Sequence, residues 1–240
     1  MTPRAYAVLA LAIAFAVSPA FSDFNGFDPE LYPVPQDNPP VQPAGWAFSI
    51  WGLIYAWLIV HAGYGAWARA DDPIWDRTRP GLIVSLGVGV FWLTVAGLSP
   101  IWATVMIWVM LAGALHSLLK STDVVDRWLL QPPIAIYAGW LTAASSVSIG
   151  LLLAGWGVTG EVAAAWIGIA VALAVALVVL SLLGRAPEYG LAVVWALSGV
   201  MAQNWGGRWD LVALAFVGAL AIGGMILLAR FRGRPGYEPH

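Results

Sequence analysis

Apolar runs long enough to cross a bilayer alternate along this chain with short polar boundaries, and positive charge is concentrated at every second boundary. All but one of the 11 Lys and Arg residues belong to this set: Arg4, Arg69, Arg77, Arg79, Lys120, Arg127, Arg185, Arg230, Arg232 and Arg234. Arg208 alone lies at an intervening boundary. Loops rich in Lys and Arg stay on the cytoplasmic side of a membrane. The pattern predicts a multi-pass membrane protein with both termini in the cytoplasm.

Composition restricts the classes of function in the same direction. Apolar residues make up 60% of the chain and charged residues 10%, against roughly 25% charged in a soluble domain. A formal net charge of −2 gives no reason to expect nucleic acid as a partner. The chain has no cysteine, which excludes disulfides, thiolate metal sites and thiol catalysis. The lipid bilayer is therefore the first expected partner.

Eight apolar runs are each close to the ~20 residues that span about 30 Å of hydrocarbon. They cover residues 5–21, 48–68, 81–98, 101–119, 133–154, 162–183, 190–205 and 211–229. The predicted fold is an all-α integral membrane bundle of about eight transmembrane helices, forming a single domain. Ser99 and Pro100 separate the third and fourth runs as a tight hairpin, with one long helix as the alternative. The first run is either a retained helix or a cleaved signal peptide, which would leave seven helices.

Residues 22–45 form the long polar connection and contain six prolines. Proline removes backbone donors and stiffens a chain into extended and turn conformations. Phe24, Phe27 and Tyr32 in this segment favour packing as a stiff lid over the outer end of the bundle. The alternative is a linker that lies among the lipid headgroups.

Aromatic residues are densest where this proline-rich loop meets the second helix. Phe48, Trp51 and Tyr55 are separated by three and four positions, so they share one face of a helix. Such a wall is either an interfacial aromatic belt or one side of a flat apolar cleft. In a cleft, Trp N–H and Tyr O–H groups would orient the ligand.

Residues 43–55, with the sequence PAGWAFSIWGLIY, resemble the loop and second-helix signature of the tryptophan-rich sensory protein family, also called the translocator protein or peripheral benzodiazepine receptor family. Phe91 and Trp92 on the third helix, and residues 136–144 (IYAGWLTAA) on the fifth, are similar to further motifs of that family. The resemblance implies a five-helix unit over residues 5–155, followed by three additional helices over 156–240. It also implies binding of tetrapyrroles, sterols or synthetic aromatic molecules.

Four positions depart from the family pattern. The family usually has Asn three residues before the tryptophan of the third helix, where this chain has Gly89. A Leu-Asn pair late in the fifth helix is replaced by Val147 and Ser148, and Ile136 replaces a proline. The polar end of the family's pocket is therefore missing or rebuilt, and tetrapyrrole binding is implied only weakly.

These patterns predict a membrane-embedded binding or sensory protein that captures a flat apolar ligand, with a tetrapyrrole, sterol or similar molecule as the candidate. No Asp, Glu, Lys or Arg lies at mid-depth in any run, which argues against a proton pump or a charged channel. The sequence offers no nucleophile with a base, so catalysis is not expected. The alternatives are a small-molecule transporter and a scaffold for another membrane complex. The candidate ligand-binding residues are Trp46, Phe48, Trp51, Tyr55, Trp92, Tyr137, Trp140, Gln203 and Asn204.

No bound cofactor is expected, although porphyrin or haem is a candidate ligand. His61 and His116 lie toward the predicted cytoplasmic ends of their helices. They could ligate haem iron if they faced each other. The alternative is that each is satisfied separately by backbone or water.

Small residues recur every four positions on the sixth run, at Ala164, Gly168, Ala172 and Ala176. Such a stripe permits close helix packing in lipid, either within the chain or across a homodimer seam. Residues 1–10 carry no Arg-rich targeting pattern, and together with the charge bias this indicates a bacterial inner membrane.

Overall fold

The computed structural model describes residues 3–22, 28–121, 126–184 and 186–231, with the side chains of 230 and 231 left aside. Eight α-helices make up most of these ranges: α1 Pro3–Val17, α2 Ile50–Trp67, α3 Pro73–Ala96, α4 Pro100–Lys120, α5 Arg127–Gly155, α6 Glu161–Leu183, α7 Pro187–Asn204 and α8 Trp209–Phe231. Short 3-10 helices cover Ser18–Phe21, Pro29–Leu31 and Gly45–Ser49. Within the described residues, all the helices except α7 are long and apolar enough to cross a membrane.

The eight predicted apolar runs each correspond to one helix, but two helices begin six or more residues earlier than predicted. α3 begins at Pro73 rather than at 81, and α5 begins at Arg127 rather than at 133. Pro80 lies inside α3, and Pro132 and Pro133 lie inside α5. Asp72 caps α3, since its Oδ1 accepts hydrogen bonds from the backbone N–H groups of Ile74 and Trp75. The hairpin predicted between α3 and α4 is confirmed, with Ser99 at the N-cap of α4.

Two consecutive prolines in α5 leave two carbonyls without their usual helical donors. Pro132 and Pro133 have no N–H to donate to the carbonyls four residues earlier, those of Trp128 and Leu129. Side chains of α2 donate in their place. Trp57 Nε1 lies 3.1 Å from the Trp128 oxygen, and the His61 Nδ1 lies 2.7 Å from the Leu129 oxygen. The double proline therefore joins α5 to α2.

The first five helices close into a ring in which α1 packs on α2, α2 on α5, α5 on α4, α4 on α3, and α3 on α1. α6, α7 and α8 form a second group that packs against the other side of α5. α5 thus belongs to both groups and is the most buried of the helices that can cross a membrane. Its length of 29 residues lets it contribute to the cores of both.

Glycines allow the closest helix contacts. A Cβ at Gly81 of α3 would lie 2.4 Å from the Gly113 oxygen of α4, and a Cβ at Gly139 of α5 would lie 2.3 Å from the Tyr189 oxygen of α7. Neither position has room for a methyl group, so the helix backbones touch directly at both places.

Charged side chains interlock at the end of the bundle that carries Arg69 and Asp126, here called the basic end. Asp126 accepts hydrogen bonds from Arg69 Nε at 2.5 Å, from Trp75 Nε1 at 3.2 Å and from Tyr64 Oη at 3.2 Å. The hydrogen bond from Arg69, followed by that from Trp75, lowers the pKa of the Asp126 carboxyl below its ordinary value. The same contact raises the pKa of Arg69. This carboxylate therefore ties α5 to α2 and α3.

Arg79 is buried at the basic end although the sequence placed it in a polar boundary. Its guanidinium donates to the carbonyls of Gly65, Arg69 and Ala70, at 3.2, 2.6 and 2.7 Å. It also forms an ion pair with Asp76 at 3.1 Å. The Gly65 carbonyl lies in the last turns of α2, and the carbonyls of Arg69 and Ala70 lie in the connection that follows it. A cation at this helix end satisfies free acceptors and complements the helix dipole.

The small-residue stripe of α6 is used within the chain. Ala164, Gly168, Ala172 and Ala176 are all buried, and a Cβ at Gly168 would lie 3.1 Å from the Ser146 oxygen of α5. The close packing predicted for this stripe is therefore intramolecular, and the stripe is not available as a dimer seam.

Candidate ligand site among the aromatic side chains

Five of the nine predicted ligand-binding residues lie together on α2, α5 and the 3-10 turn that precedes α2. Trp51 and Tyr55 stack with ring centroids 5.2 Å apart and planes 19° apart. Trp140 meets Phe48 edge-on at 5.6 Å and Trp51 at 6.2 Å. The fifth, Tyr137, joins them through a phenylalanine of α1. The predicted aromatic wall on α2 is thus part of a larger set of rings.

Phe15 of α1 is the residue of this set that the sequence analysis missed. Its ring lies edge-on to Trp51 at 5.8 Å and to Tyr55 at 5.2 Å, and it meets Tyr137 at 5.9 Å. Phe15 is 3% exposed. We call Phe15, Phe48, Trp51, Tyr55, Tyr137 and Trp140 the aromatic cluster.

Gly89 of α3 makes room for Phe15. A Cβ at position 89 would lie 2.8 Å from Phe15 Cε2 and 3.0 Å from Met110 Cε. Because real Cβ atoms do not approach so closely, an asparagine at this position would collide with the phenyl ring. The glycine at position 89 therefore makes room for Phe15 in the interior of the five-helix ring. The asparagine amide that the family usually has at this position is absent.

The two buried polar groups of the aromatic cluster differ in their partners. Tyr137 Oη pairs with Ser85 Oγ at 2.8 Å, and Ser85 also donates to the Met110 carbonyl at 2.7 Å. Trp140 is 2% exposed, and its Nε1 has no hydrogen-bond partner in the described part of the chain. A buried N–H without an acceptor carries a desolvation cost of about 1–3 kcal/mol. Trp140 is accordingly able to donate to an additional group.

Among the ring contacts given for the described residues, none joins Trp46, Trp92, Gln203 or Asn204 to the aromatic cluster. Trp46 meets Trp195 of α7 edge-on at 4.9 Å. The Nε1 of Trp92 donates to the Ala103 carbonyl at 2.8 Å. These two rings connect neighbouring elements of the bundle.

The predicted polar pair at the end of α7 is divided. Asn204 Nδ2 donates to the Pro40 carbonyl of the proline-rich loop at 2.9 Å and to the Val200 carbonyl at 2.8 Å. Gln203 is half-buried. Asn204 therefore holds the loop, and a ligand would have to compete with that carbonyl for its amide.

Residues 28–45, which are described in the proline-rich loop, pack against α5, α6 and α7. Val41 is buried in a notch formed by two glycines, since a Cβ at Gly150 or at Gly168 would lie 2.8 Å from its Cγ2. Pro43 fits in the same way against Gly199, whose carbonyl accepts a hydrogen bond from the N–H of Ala44 at 3.0 Å. The loop thus enters the helix group as a wedge.

Tyr32 anchors the beginning of this wedge. It is buried against Gly155 and meets the Trp156 ring at 5.7 Å. This packing over the end of the bundle agrees with the predicted lid, whose described residues contact α5, α6 and α7. Phe24 and Phe27 lie outside the described residues.

An apolar cavity of about 20 Å³ lies beneath the wedge between α5, α6 and α7. It is lined by apolar residues that include Val41, Pro43, Ile169 and Val193. A cavity of this volume holds about one water molecule, whereas ligand pockets measure about 300–1,000 Å³. It is therefore far too small for a tetrapyrrole.

The two histidines considered for haem ligation are not brought together. His61 is buried, stacks on Trp75 with ring centroids 5.0 Å apart and contacts the Leu129 carbonyl. His116 lies on α4 and is exposed. The described residues contain no group of three or more His, Asp and Glu side chains that could hold a metal ion. Each histidine therefore has separate surroundings, as the alternative interpretation states.

A family model described as TSPO-like protein matches residues 5–228 of the chain. The matched range includes α2 to α7 completely and nearly all of α1 and α8. No curated protein and no solved structure matches the chain significantly.

Proposed function

This chain belongs to the TSPO-like protein family, and we propose that it binds a flat apolar molecule, such as a tetrapyrrole or a sterol, at the aromatic cluster. Membership supports a multi-pass membrane protein that binds or transports a ligand, in a family whose members are generally not enzymes. The ligand would stack on the ring faces of Trp51 and Tyr55 and accept a hydrogen bond from Trp140.

The unpaired N–H of Trp140 carries this proposal. Interiors leave few buried donors without acceptors, and this donor belongs to a ring in contact with Phe48 and Trp51. Phe48 is 41% exposed, and Trp51 and Tyr55 are partly exposed, so a ligand in the bilayer can approach the cluster from that side. A carbonyl or carboxylate on the ligand would satisfy the donor, and aromatic contacts add about 0.5–1.5 kcal/mol each.

The test is binding of protoporphyrin IX, haem and a sterol to the protein in lipid nanodiscs. Trp140→Phe keeps the ring and removes only the N–H, so the dissociation constant should rise roughly 3- to 10-fold for a ligand that accepts this hydrogen bond. Trp51→Ala and Tyr137→Ala should weaken binding of all ligands that stack on the cluster.

Trp108→Phe is the matched control. The Nε1 of Trp108 is also buried without a partner, but its ring has no contact with the aromatic cluster among the described ring pairs. Affinity should stay unchanged in this variant. Equal affinities of Trp140→Phe, Trp51→Ala and the unaltered protein for all three probes would remove the proposed site.

We also propose that the basic end faces the cytoplasm of a bacterial cell and that the proline-rich loop faces the opposite compartment. The charge bias supports this orientation. Because the chain contains no cysteine, Asp37→Cys and Lys120→Cys give single labelling sites at opposite ends. An impermeant thiol reagent added to intact cells should label the first and spare the second; the reverse pattern would contradict the orientation.

A further inference from the structure

We propose that Phe15 is a plug that occupies the ligand position of the five-helix ring, and that binding requires Phe15 and the end of α1 that carries it to move away. This inference rests on the proposed function and identifies what controls access to the same site. Phe15 lies edge-on against Trp51 and Tyr55, the two rings on which the ligand would stack. The Phe15 side chain therefore occupies the interior of the five-helix ring.

The seat of the plug fits a phenyl group closely. Gly89 provides the space, since any Cβ there would come within 3.0 Å of two carbon atoms of the phenyl ring. Met110, on α4, borders the same notch. Side chains of α2, α4 and α5 and the backbone of α3 at Gly89 thus surround the phenyl ring of Phe15. Such a complementary seat stabilises one position of Phe15.

α1 is attached to the bundle by a narrow stripe. Its buried residues are Ala5, Val8, Ala12 and Phe15, and Phe15 is the largest of them. Lipid surrounds helices in a membrane, so association depends on packing and hydrogen bonds and not on removal from water. The ion pair at the other end of α1, Arg4 with Asp76 at 2.9 Å, is largely exposed and contributes little.

An aromatic ligand would replace the ring contacts that Phe15 loses when it leaves the notch. Leaving the notch costs Phe15 its contacts with Trp51, Tyr55 and Tyr137, and a ligand ring in the same place regains contacts of the same kind. The exchange is consequently close to balanced, and a ligand that favours the open state shifts the population toward it. The position of α1 then reports whether the site is occupied.

Phe15→Ala tests the plug directly. Removing the phenyl group frees the ring faces of Trp51 and Tyr55. Protoporphyrin IX should then bind roughly 10-fold or more tightly, because Phe15 no longer competes with it for these rings. Gly89→Ala should also tighten binding, since the added methyl group displaces the plug. Ile13→Ala is the control: Ile13 lies on α1 but is 46% exposed, and this variant should bind as the unaltered protein does. Weaker binding in Phe15→Ala would overturn the plug, because Phe15 would then be part of the binding surface.

A second probe separates the plug from the proposed function. Engineered apolar cavities bind small aromatic molecules, so Phe15→Ala should bind indole saturably in nanodiscs, measured by dialysis against empty nanodiscs, and the unaltered protein should not. Indole binding without binding of any large ligand would support the plug and refute the proposed function. Protoporphyrin binding that depends on Trp140 but is equal in Phe15→Ala and Gly89→Ala would support the function and refute the plug.

Discussion

The hydrogen bond of His61 to α5 should contribute to stability because Pro133 lies four residues after Leu129. The Leu129 carbonyl would normally accept from the N–H of residue 133, but proline has none. The Nδ1 of His61 lies 2.7 Å from this oxygen and substitutes for the missing donor. Replacing His61 by phenylalanine keeps a ring against Trp75 and leaves the carbonyl without its donor.

The size of the effect follows from the environment of the bond. A buried acceptor left unsatisfied costs about 1–3 kcal/mol, whereas hydrogen bonds between membrane helices average about 0.6 and reach about 1.7 kcal/mol in double-mutant cycles. His61→Phe should therefore lower the free energy of unfolding by about 1 kcal/mol or somewhat more. In a Pro133→Ala background the backbone N–H serves Leu129, and the same substitution should cost less than about 0.5 kcal/mol.

The measurement is a double-mutant cycle over His61 and Pro133, by titration with dodecyl sulfate followed by circular dichroism. A coupling free energy near 1 kcal/mol is expected, because each substitution changes the effect of the other on the free energy of unfolding. Trp57 and Pro132 provide a second cycle, since the Trp57 indole bonds the Trp128 carbonyl. Additive effects within about 0.3 kcal/mol in both cycles would show that the α2 side chains do not serve these carbonyls.

The remaining predictions concern the ends of the bundle and the helix between its two groups. Because Arg69 lowers the pKa of Asp126, the stabilisation that this ion pair gives is present above the unfolded-state value of about 3.9 and is lost as pH falls through the folded-state pKa; unfolding titrations at a series of pH values that extends well below about 3.9 should show this loss, and Asp126→Asn should remove it. Val41→Ala should free the wedge from its glycine notch and speed proteolysis of residues 28–49, whereas Val34→Ala, at an exposed position, should leave the rate unchanged. We propose that residues 5–228 fold as one domain, so a chain ending at 155 should aggregate or degrade on expression; a monodisperse, helical fragment would contradict this.

The helices were predictable because apolar runs of membrane length have few alternative conformations in lipid. The starts of α3 and α5 were wrong by eight and six residues, since we took Gly81 and Pro133 as the first positions. A proline can lie inside a helix when neighbouring side chains satisfy the carbonyl it leaves free. Only the tertiary structure shows that Trp57 and His61 do so.

The candidate site was predicted in part. Spacing along α2 placed Trp51 and Tyr55 on one face, and the structure stacks them. Phe15 was missed because its helix was also consistent with a signal peptide, and a lone phenylalanine in an apolar run has no pattern that marks it. Gly89 was recognised as a departure from the family, but the sequence does not reveal which side chain fills the space it leaves. The roles of the aromatic residues in binding stay a prediction.

α5 has neighbours around most of its circumference, with α2 and α4 on one flank and α6 and α7 on the other. Thr142 illustrates the result, since its hydroxyl contacts Tyr189 of α7 at 2.9 Å only two positions from the indole of Trp140. Backbone contact at Gly139 leaves no slack between α5 and α7. If α5 rotated to accommodate a ligand inside the five-helix ring, α7 would move with it. The loop segment bonded to Asn204 would move as well. A movement of α5 inside the membrane would in this way change the outer surface of the proline-rich loop.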